Sequence, residues 1–237
     1  MVRQCFARGR ALDELSREQE PPRFGTRVHF WPDPEVFGSA LRWDRDALQS
    51  RLEQLVALRE GFSCRLSCAL LDFEVELDAS RGLSTLAAWQ PDRFGLHEGW
   101  IACEASEGPA RAKLVLRWER LRPFEDNPML RSFCNLEPTS RGTHVLGFER
   151  GLGRALAIAE PRFGRAWRKA YSHALQRAGL HVVLAVELLD PSYESPVRDN
   201  PRNPLLAALV ERALLESLPA WFEAHPDVLA LLIASEG

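Results

Sequence analysis

GTHVLGFERGLGRALAIAE, residues 142–160, carries apolar side chains at the spacing of one face of a helix, and Pro161 ends that pattern. The members of this face are Phe148, Leu152, Ala155, Leu156 and Ala159. A second helix is predicted over residues 165–178 because Gly179 is a suitable C-terminal glycine. The sequence therefore begins this region with two consecutive helices.

LHVVLAVELL, residues 180–189, follows the two helices and is rich in aliphatic and β-branched residues. This composition predicts a strand that is buried on nearly both faces. The strand leads into Asp190-Pro191 and the polar segment SYESPVRDNPRNP. This order of elements indicates a βα-type scaffold, in which the polar segment after the strand forms a loop.

The composition of the chain is that of an ordinary globular protein. Of its 237 residues 46% are hydrophobic and 27% are charged, and the net charge of -3 argues against a polycation that binds nucleic acid over its whole surface. The chain has five cysteines and no apolar core of a signal peptide, which predicts reduced thiols and a cytoplasmic location. Cys64 and Cys68 lie on an alternating run, and no cysteine or histidine pair has zinc spacing, so no metal site is predicted. No apolar run reaches the ~20 residues of a membrane span.

The first third of the chain predicts strands and one helix. Residues 2–8 and 27–31 are predicted as two strands around an exposed loop, and such a pair needs a larger sheet to join. Asp44 is predicted to cap a helix with Leu48, Leu52, Leu55 and Val56 on its inner face, and Gly61 closes it. Residues 62–77 alternate enough to form one or two strands.

The remaining segments predict a hairpin and two C-terminal helices. Residues 100–105 and 111–118 are predicted to pair around a turn at residues 107–109. Asn203 is the predicted N-cap of a helix over 204–217, with Pro204 at its first position. Pro219 is predicted to interrupt that helix. A last helix is predicted over 226–233. The predicted fold class is α+β, with helices packed on one face of a mixed sheet.

The segments GTHVLGFERGL, AGLHVVLAVELLDPSYES and AWFEAHPDVLALLI resemble the second domain, the transducer, of the DNA gyrase/topoisomerase IV B-subunit family. The family pattern is Gly-Thr-His, a helix, and a strand that ends in Asp-Pro before a loop with Gln-Thr-Lys. The corresponding residues here are Gly142, Thr143, His144, Asp190 and Pro191.

The resemblance implies a fold and a division of the chain. The fold would be the ribosomal protein S5 domain 2-like fold of the transducer. Residues 1–36 would correspond to the last strands of the ATP-binding domain, and residues 37–237 to a transducer-like domain. By the resemblance, four parts of the family are expected to have no counterpart within residues 1–237: the general-base glutamate, the magnesium-binding asparagine, the glycine-rich phosphate loops and the DNA-cleaving domains.

Arg198 is the residue that the resemblance singles out for nucleotide contact. It stands where the family has the lysine that touches the γ-phosphate of ATP, and Pro196 stands at the glutamine position. Arginine can still bind phosphate, whereas proline supplies neither an amide side chain nor a backbone donor. An ordinary solvated arginine near Glu194 or Asp199 is the simpler alternative. No cofactor is expected in this chain alone, and ATP and magnesium are expected only if a partner supplies the ATP-binding domain.

Other residues allow both a structural and a functional interpretation. His144 and its neighbours fit a helix-entry turn in which threonine caps the helix and histidine bonds to the backbone. The family lines a DNA-holding cavity with basic residues, and Arg117, Arg120, Arg122 and Arg131 are candidates for that role. Ordinary surface arginines are the simpler interpretation of these four residues. A solvated face explains the basic aromatic helix over 165–179 as well as contact with nucleic acid does. No catalytic residue is predicted.

Two hypotheses for the function remain. The chain is either a transducer module that acts as an interaction or regulatory scaffold, or one half of a split ATP-dependent type II DNA topoisomerase B subunit that completes an ATP site on another chain. Both require a protein partner, either an ATP-binding half or gyrase-like subunits. Contact with DNA and pairing with a second copy of the chain stay open, and no membrane partner is expected.

Overall fold

The computed structural model describes residues 2–17, 25–38, 43–69, 72–78, 82–87, 95–121 and 127–234. The chain divides into two compact units, Met1–Ala47 and Leu48–Gly237. The assignment of residues 1–36 to a remnant of an ATP-binding domain stays a prediction.

Within its described residues, the N-terminal unit contains four two-residue strands and one short helix. Their bounds are β1 Val2–Arg3, β2 Phe6–Ala7, β3 Arg10–Ala11, β4 Ser16–Arg17 and α1 Pro34–Phe37. β1 pairs with β4 and β2 pairs with β3, both antiparallel. The predicted strand over 27–31 is wrong, because those residues form no strand and have no ladder partner among the described residues. None of the described residues of this unit is buried, so it has no core of its own there.

The larger unit supplies the main sheet and the long helices. Its elements begin with α2 Arg45–Leu58, which starts just before the division between the units, and continue with β5 Ser63–Cys68, β6 Phe73–Asp78, α3 Ser84–Ala87, β7 Ile101–Glu107, β8 Ala110–Glu119, β9 Met129–Cys134, β10 Glu137–Thr139, α4 Thr143–Ala159, α5 Trp167–Arg177, β11 Gly179–Glu187, α6 Pro204–Ala224 and α7 Pro226–Ile233. A single 3₁₀ turn, Pro161–Phe163, separates α4 from α5. The predicted hairpin, the predicted strands over 62–77 and the helix capped by Asp44 are all present.

β11 is the central strand of a five-stranded mixed sheet with the order β10-β9-β11-β8-β7. It runs antiparallel to β8, with His181 opposite Arg117, and parallel to β9, with Val183 opposite Arg131. β11 has a neighbouring strand on each side, and both of its faces are covered by other parts of the protein. A strand in this position is apolar at almost every residue, which explains why residues 180–189 do not alternate between polar and apolar. The predicted fold class, α+β with a mixed sheet and helices packed on it, is confirmed.

α4 and α6 cover one face of this sheet and form the main core. The predicted face of α4 is buried, with Phe148, Leu152, Ala155 and Leu156 at 0% exposure. These side chains belong to one cluster with every second residue of β11, starting at Leu180. Gly147 allows α4 to approach α6 closely, because a Cβ atom there would lie 2.5 Å from the carbonyl oxygen of Ala207.

The opposite face of the sheet carries a smaller cluster. Val183 of β11 and Phe133 of β9 pack there with Ala57 of α2 and Leu86 of α3. The two faces of β11 are thus both covered at this level, as its sequence predicts. α3 is a short helix without a clear signal in the sequence, and Leu86 fixes it to the sheet.

Pro219 does not interrupt its helix, and the predicted end near residue 217 is wrong. α6 runs through Pro219 to Ala224. A proline in a helix interior costs about 3 kcal/mol or more because it removes one hydrogen bond and crowds the preceding turn. Leu218 and Phe222 on either side are fully buried, and their packing outweighs that cost.

Among the described residues, no helix is both long and apolar enough to cross a membrane.

Candidate functional site

The loop that follows β11 is fixed at its first residue. Asn135 lies in the left-handed region with φ of 49° and places its amide against the backbone of Leu188. Its Oδ1 accepts a hydrogen bond from the Leu188 N–H at 2.9 Å, and its Nδ2 donates to the Leu188 carbonyl at 2.6 Å. The loop therefore leaves the sheet in a defined direction.

Hydrogen bonds within the loop hold residues 192–203 together. The Arg202 N–H donates to the Ser192 carbonyl at 2.8 Å, and the Ser192 N–H donates to Asn203 Oδ1 at 2.7 Å. Glu194 accepts from the side chains of both Asn200 and Arg202. Asn203 is the N-cap residue of α6 by position, but its side chain makes no capping bond because it binds Ser192 instead.

The Gly-Thr-His segment is docked against the end of this loop. The Thr143 N–H donates to the Pro201 carbonyl at 3.0 Å, and Thr143 Oγ1 donates to the Asn203 carbonyl at 2.7 Å. Gly142 has φ of 140°, and a Cβ atom there would lie 2.7 Å from the Pro201 oxygen. Gly142 rather than Thr143 is the N-cap position of α4, so the predicted threonine cap is wrong. The motif joins the start of α4 to the loop.

His144 is fully buried behind this contact and does not bond to the backbone, contrary to the sequence-based interpretation. Its Nε2 lies 2.9 Å from Thr139 Oγ1, which is 2.8 Å from Ser132 Oγ. Its Nδ1 is buried without a hydrogen bond. Burial lowers the pKa of His144 from 6.5 to about 4, so the ring is neutral near pH 7.

Arg198 is exposed and lies in a turn of the loop. Its N–H donates to the Ser195 carbonyl at 3.1 Å, and its φ of 61° is in the left-handed region. The two acids that could neutralise it are engaged elsewhere, because Glu194 pairs with Arg202 and Asp199 lies 3.8 Å from Arg141. Arg198 thus forms no salt bridge with any described residue, and Val197 beside it is 79% exposed.

Asp190 and Pro191 lie at the start of the loop, where Asp190 is exposed. The residues that hold the loop, Asn135, Glu194 and Asn203, were not predicted as site residues. Asparagine is common in turns because it tolerates the left-handed conformation, but the partner of the Asn135 side chain lies 53 residues away. Such a contact has no signature in the local sequence.

The candidate DNA-binding arginines lie apart from the loop and from one another. Arg117 and Arg131 are on the sheet face opposite α4, separated by β11. Arg117 lies 6.0 Å from the centre of the Trp100 ring, and Arg131 donates to the Leu86 carbonyl at 2.8 Å. Arg120 is exposed after β8. Arg122 lies outside the described residues, and the role of all four arginines in binding DNA stays a prediction.

In the part of the chain that the structure describes, no group of three or more histidine, cysteine or acidic side chains could hold a metal ion.

The sheet has five strands, and the hydrogen-bonded loop after its central strand is joined to a Gly-Thr-His helix start. Together with the comparisons that follow, this arrangement identifies a gyrase B-like domain of a type II topoisomerase. The family model of DNA gyrase B matches residues 93–235, which is more than half of the chain. The chain belongs to the DNA gyrase B family, and the resemblance of its motifs to that family is confirmed.

Individual relatives agree with this assignment. The chloroplastic and mitochondrial DNA gyrase B subunit of Oryza sativa is 24% identical, with 98% of this chain and 33% of the relative covered. The DNA gyrase B subunit of Thermus thermophilus is 28% identical, with 94% of this chain and 36% of the relative covered. The chain therefore spans about a third of the length of these relatives.

Solved structures give the same fold. The 43K ATPase domain of Thermus thermophilus gyrase B has a TM-score of 0.76 at 25% identity, and the match covers 98% of this chain and 63% of that one. The B subunit of DNA gyrase from Myxococcus xanthus has a TM-score of 0.76 at 22% identity, with 97% and 67% covered.

Proposed function

We propose that this chain is a transducer module of the gyrase B family that acts as an interaction scaffold, and that residues 1–237 by themselves form neither a nucleotide pocket nor a DNA-cleaving centre. The observation that carries the proposal is the loop over residues 188–203. Hydrogen bonds fix it to β9 through Asn135 and to the start of α4 through Thr143. A loop held in this way can transmit a contact made at its exposed residues to the helices behind it.

The N-terminal unit supports a protein partner. Large apolar side chains are exposed there at 58–78%, and they are Phe6, Leu12, Leu15, Val28, Phe30, Trp31, Val36 and Phe37. Exposed apolar residues without a core are typical of a surface that another polypeptide covers. By the family resemblance, the partner would be an ATP-binding domain or a gyrase-like subunit.

A second candidate function is favoured by Arg198. We infer that Arg198 would complete an ATP site on a partner, which makes the chain one half of a split type II topoisomerase B subunit. An exposed guanidinium without an acidic partner among the described residues is available for the γ-phosphate, to which it can donate several hydrogen bonds. Pro196 removes the amide contact that glutamine makes in the family, so Arg198 would act without it.

Calorimetry with this chain, ATP and a separately produced gyrase B-type ATP-binding domain tests both proposals. We expect no saturable binding of millimolar ATP to the chain alone, and saturable binding of the chain to the domain. Saturable ATP binding by the chain, or no binding to the domain, would contradict the scaffold proposal.

The split-subunit proposal is tested by a non-hydrolysable ATP analogue and the Arg198→Ala variant. We expect the complex to bind the analogue about ten-fold more weakly with Arg198→Ala, because a charge-assisted hydrogen bond is lost. Arg111→Ala is the matched control, since Arg111 is exposed on β8. If the complex with Arg198→Ala binds the analogue with unchanged affinity, the phosphate contact is excluded and only the scaffold proposal remains.

A further inference from the structure

A cavity of about 300 Å³ lies on the sheet face opposite α4 and α6. Its lining residues are Leu86, Ala87, Met129, Arg131, His181, Val182 and Val183. β9 and β11 form its floor, and α3 forms a wall. Most of this lining is apolar, and the volume is at the lower end of the range for small-molecule sites.

Arg131 brings a positive charge to this apolar cavity. One of its terminal nitrogens, Nη1, donates to the Leu86 carbonyl at 2.8 Å, which holds the guanidinium at the wall formed by α3. Arg131 forms no salt bridge with any of the residues that the structure describes. Its remaining donors are therefore available for an anion, and a planar guanidinium matches the geometry of a carboxylate.

His181 places a second polar group on the floor of the cavity. Its Nε2 is hydrogen-bonded to Glu119 Oε1, and the two residues are only 8% and 5% exposed. Polar and titratable groups are costly to bury unless they are hydrogen-bonded, and the bond between His181 and Glu119 gives each of the two side chains a partner. The bond to Glu119 orients the imidazole, whose Nδ1 has no partner among the described residues.

We propose that this cavity binds a small carboxylate with an apolar body. The carboxylate would pair with Arg131 and lie beside His181, while the body would contact Leu86, Met129 and Val183. Neither the loop at 188–203 nor a partner protein takes part, so this inference is independent of the proposed function.

The two methionines of the chain make a direct test possible. Met129 lines the cavity, and Met1 supplies a reference signal. With ¹³C-methyl methionine in the full chain, we expect benzoate to shift the Met129 methyl signal saturably while the Met1 signal stays in place. Benzamide, which has the same shape without the charge, is expected to bind about ten-fold more weakly.

Two cavity variants test whether benzoate binds in this cavity. Arg131→Gln is expected to weaken benzoate binding about ten-fold, and Arg111→Gln, on an exposed part of β8, is expected to leave it unchanged. Ala87→Leu would fill the cavity from the wall formed by α3 and is expected to abolish the shift while Arg131 stays in place. The proposal is overturned if Met129 does not respond to benzoate, if Met1 moves equally, or if the response persists in both cavity variants.

Discussion

Asn135 and Leu188 form a reciprocal pair between β9 and the end of β11. The amide of Asn135 satisfies both the N–H and the carbonyl of Leu188, at 2.9 and 2.6 Å. Asn127 makes a similar contact at the other end of β11, where its Oδ1 accepts from the Leu180 N–H at 3.0 Å. The two asparagines bracket the central strand, and Asn135 alone is next to the loop.

Replacing these asparagines should separate the stability of the strand from the order of the loop. We expect Asn135→Ala and Asn127→Ala each to lower the free energy of unfolding by about 1–3 kcal/mol, since each leaves part-buried backbone groups unpaired. Only Asn135→Ala should increase amide hydrogen exchange across residues 188–203. Equal exchange of the loop in the two variants would contradict a specific role for Asn135.

Gly147→Ala tests the close approach of α4 and α6. In an open helix this change would stabilise the protein by about 0.5–1 kcal/mol. Here the new Cβ atom would lie 2.5 Å from the Ala207 oxygen, so we expect a loss of about 1–3 kcal/mol from overpacking. Chemical denaturation measures the difference, with Ile158→Ala on the exposed side of α4 as the control. A gain in stability would contradict this prediction, because it would mean that α4 and α6 can move apart to accept the Cβ atom without a loss of free energy.

The stability of the protein should fall with acidification because of His144. Its folded-state pKa of about 4 is below the ordinary value of 6.5, so the unfolded chain binds more protons between these values. The free energy of unfolding should therefore fall by about 3 kcal/mol from pH 7 to pH 4 on account of this residue.

The variant His144→Gln isolates that contribution. It should lose less stability than the parent protein between pH 7 and pH 4, measured by denaturant titration at each pH. Burial also lowers the pKa of His97, which acts in the same direction and remains in the variant. His29→Gln, at an exposed position, is the control and should follow the parent. A pH profile of His144→Gln identical to that of the parent would rule out the titration of His144.

Glu211 on α6 should contribute to stability through its two ion pairs with α4. Its side chain is 10% exposed and lies 3.4 Å from Arg150, and it also bonds to Arg154. We expect Glu211→Gln to lower the free energy of unfolding by about 1–2 kcal/mol, an effect reduced by the exposure of both arginines. Glu216→Gln on the same helix is the control, since its pair with Arg212 is exposed and about 0–1 kcal/mol is expected. Equal losses would mean that burial of Glu211 is irrelevant.

The main elements could be predicted from the sequence because their signals are local. The apolar face of α4, the aliphatic run of β11 and the turn at Gly108 between β7 and β8 are each defined by neighbouring residues. The motif residues Gly142 to His144 could also be found, because a resemblance to a family is a property of the sequence. Their contacts could not, since Thr143 bonds to a carbonyl 60 residues away.

Where prediction failed, packing or pairing at a distance was the cause. The low helix propensity of Pro219 predicts an interruption of α6. The helix is nevertheless continuous, because Leu218 and Phe222 on either side of Pro219 are buried in the core. Residues 27–31 have the composition of a strand but no ladder partner among the described residues. The role of Arg131 in binding DNA stays a prediction, and the structure places this residue at the cavity beside Leu86.

Consecutive residues were enough to establish the α+β class, the buried central strand and the kinship with the gyrase B family, because periodicity and motifs are local properties of a chain. The folded molecule was needed to show that Asn135 and Thr143 hold the loop, that Arg198 has no acidic partner among the described residues, and that Arg131 and His181 line one cavity. These features depend on distances between residues far apart in the chain, which packing sets and local sequence does not.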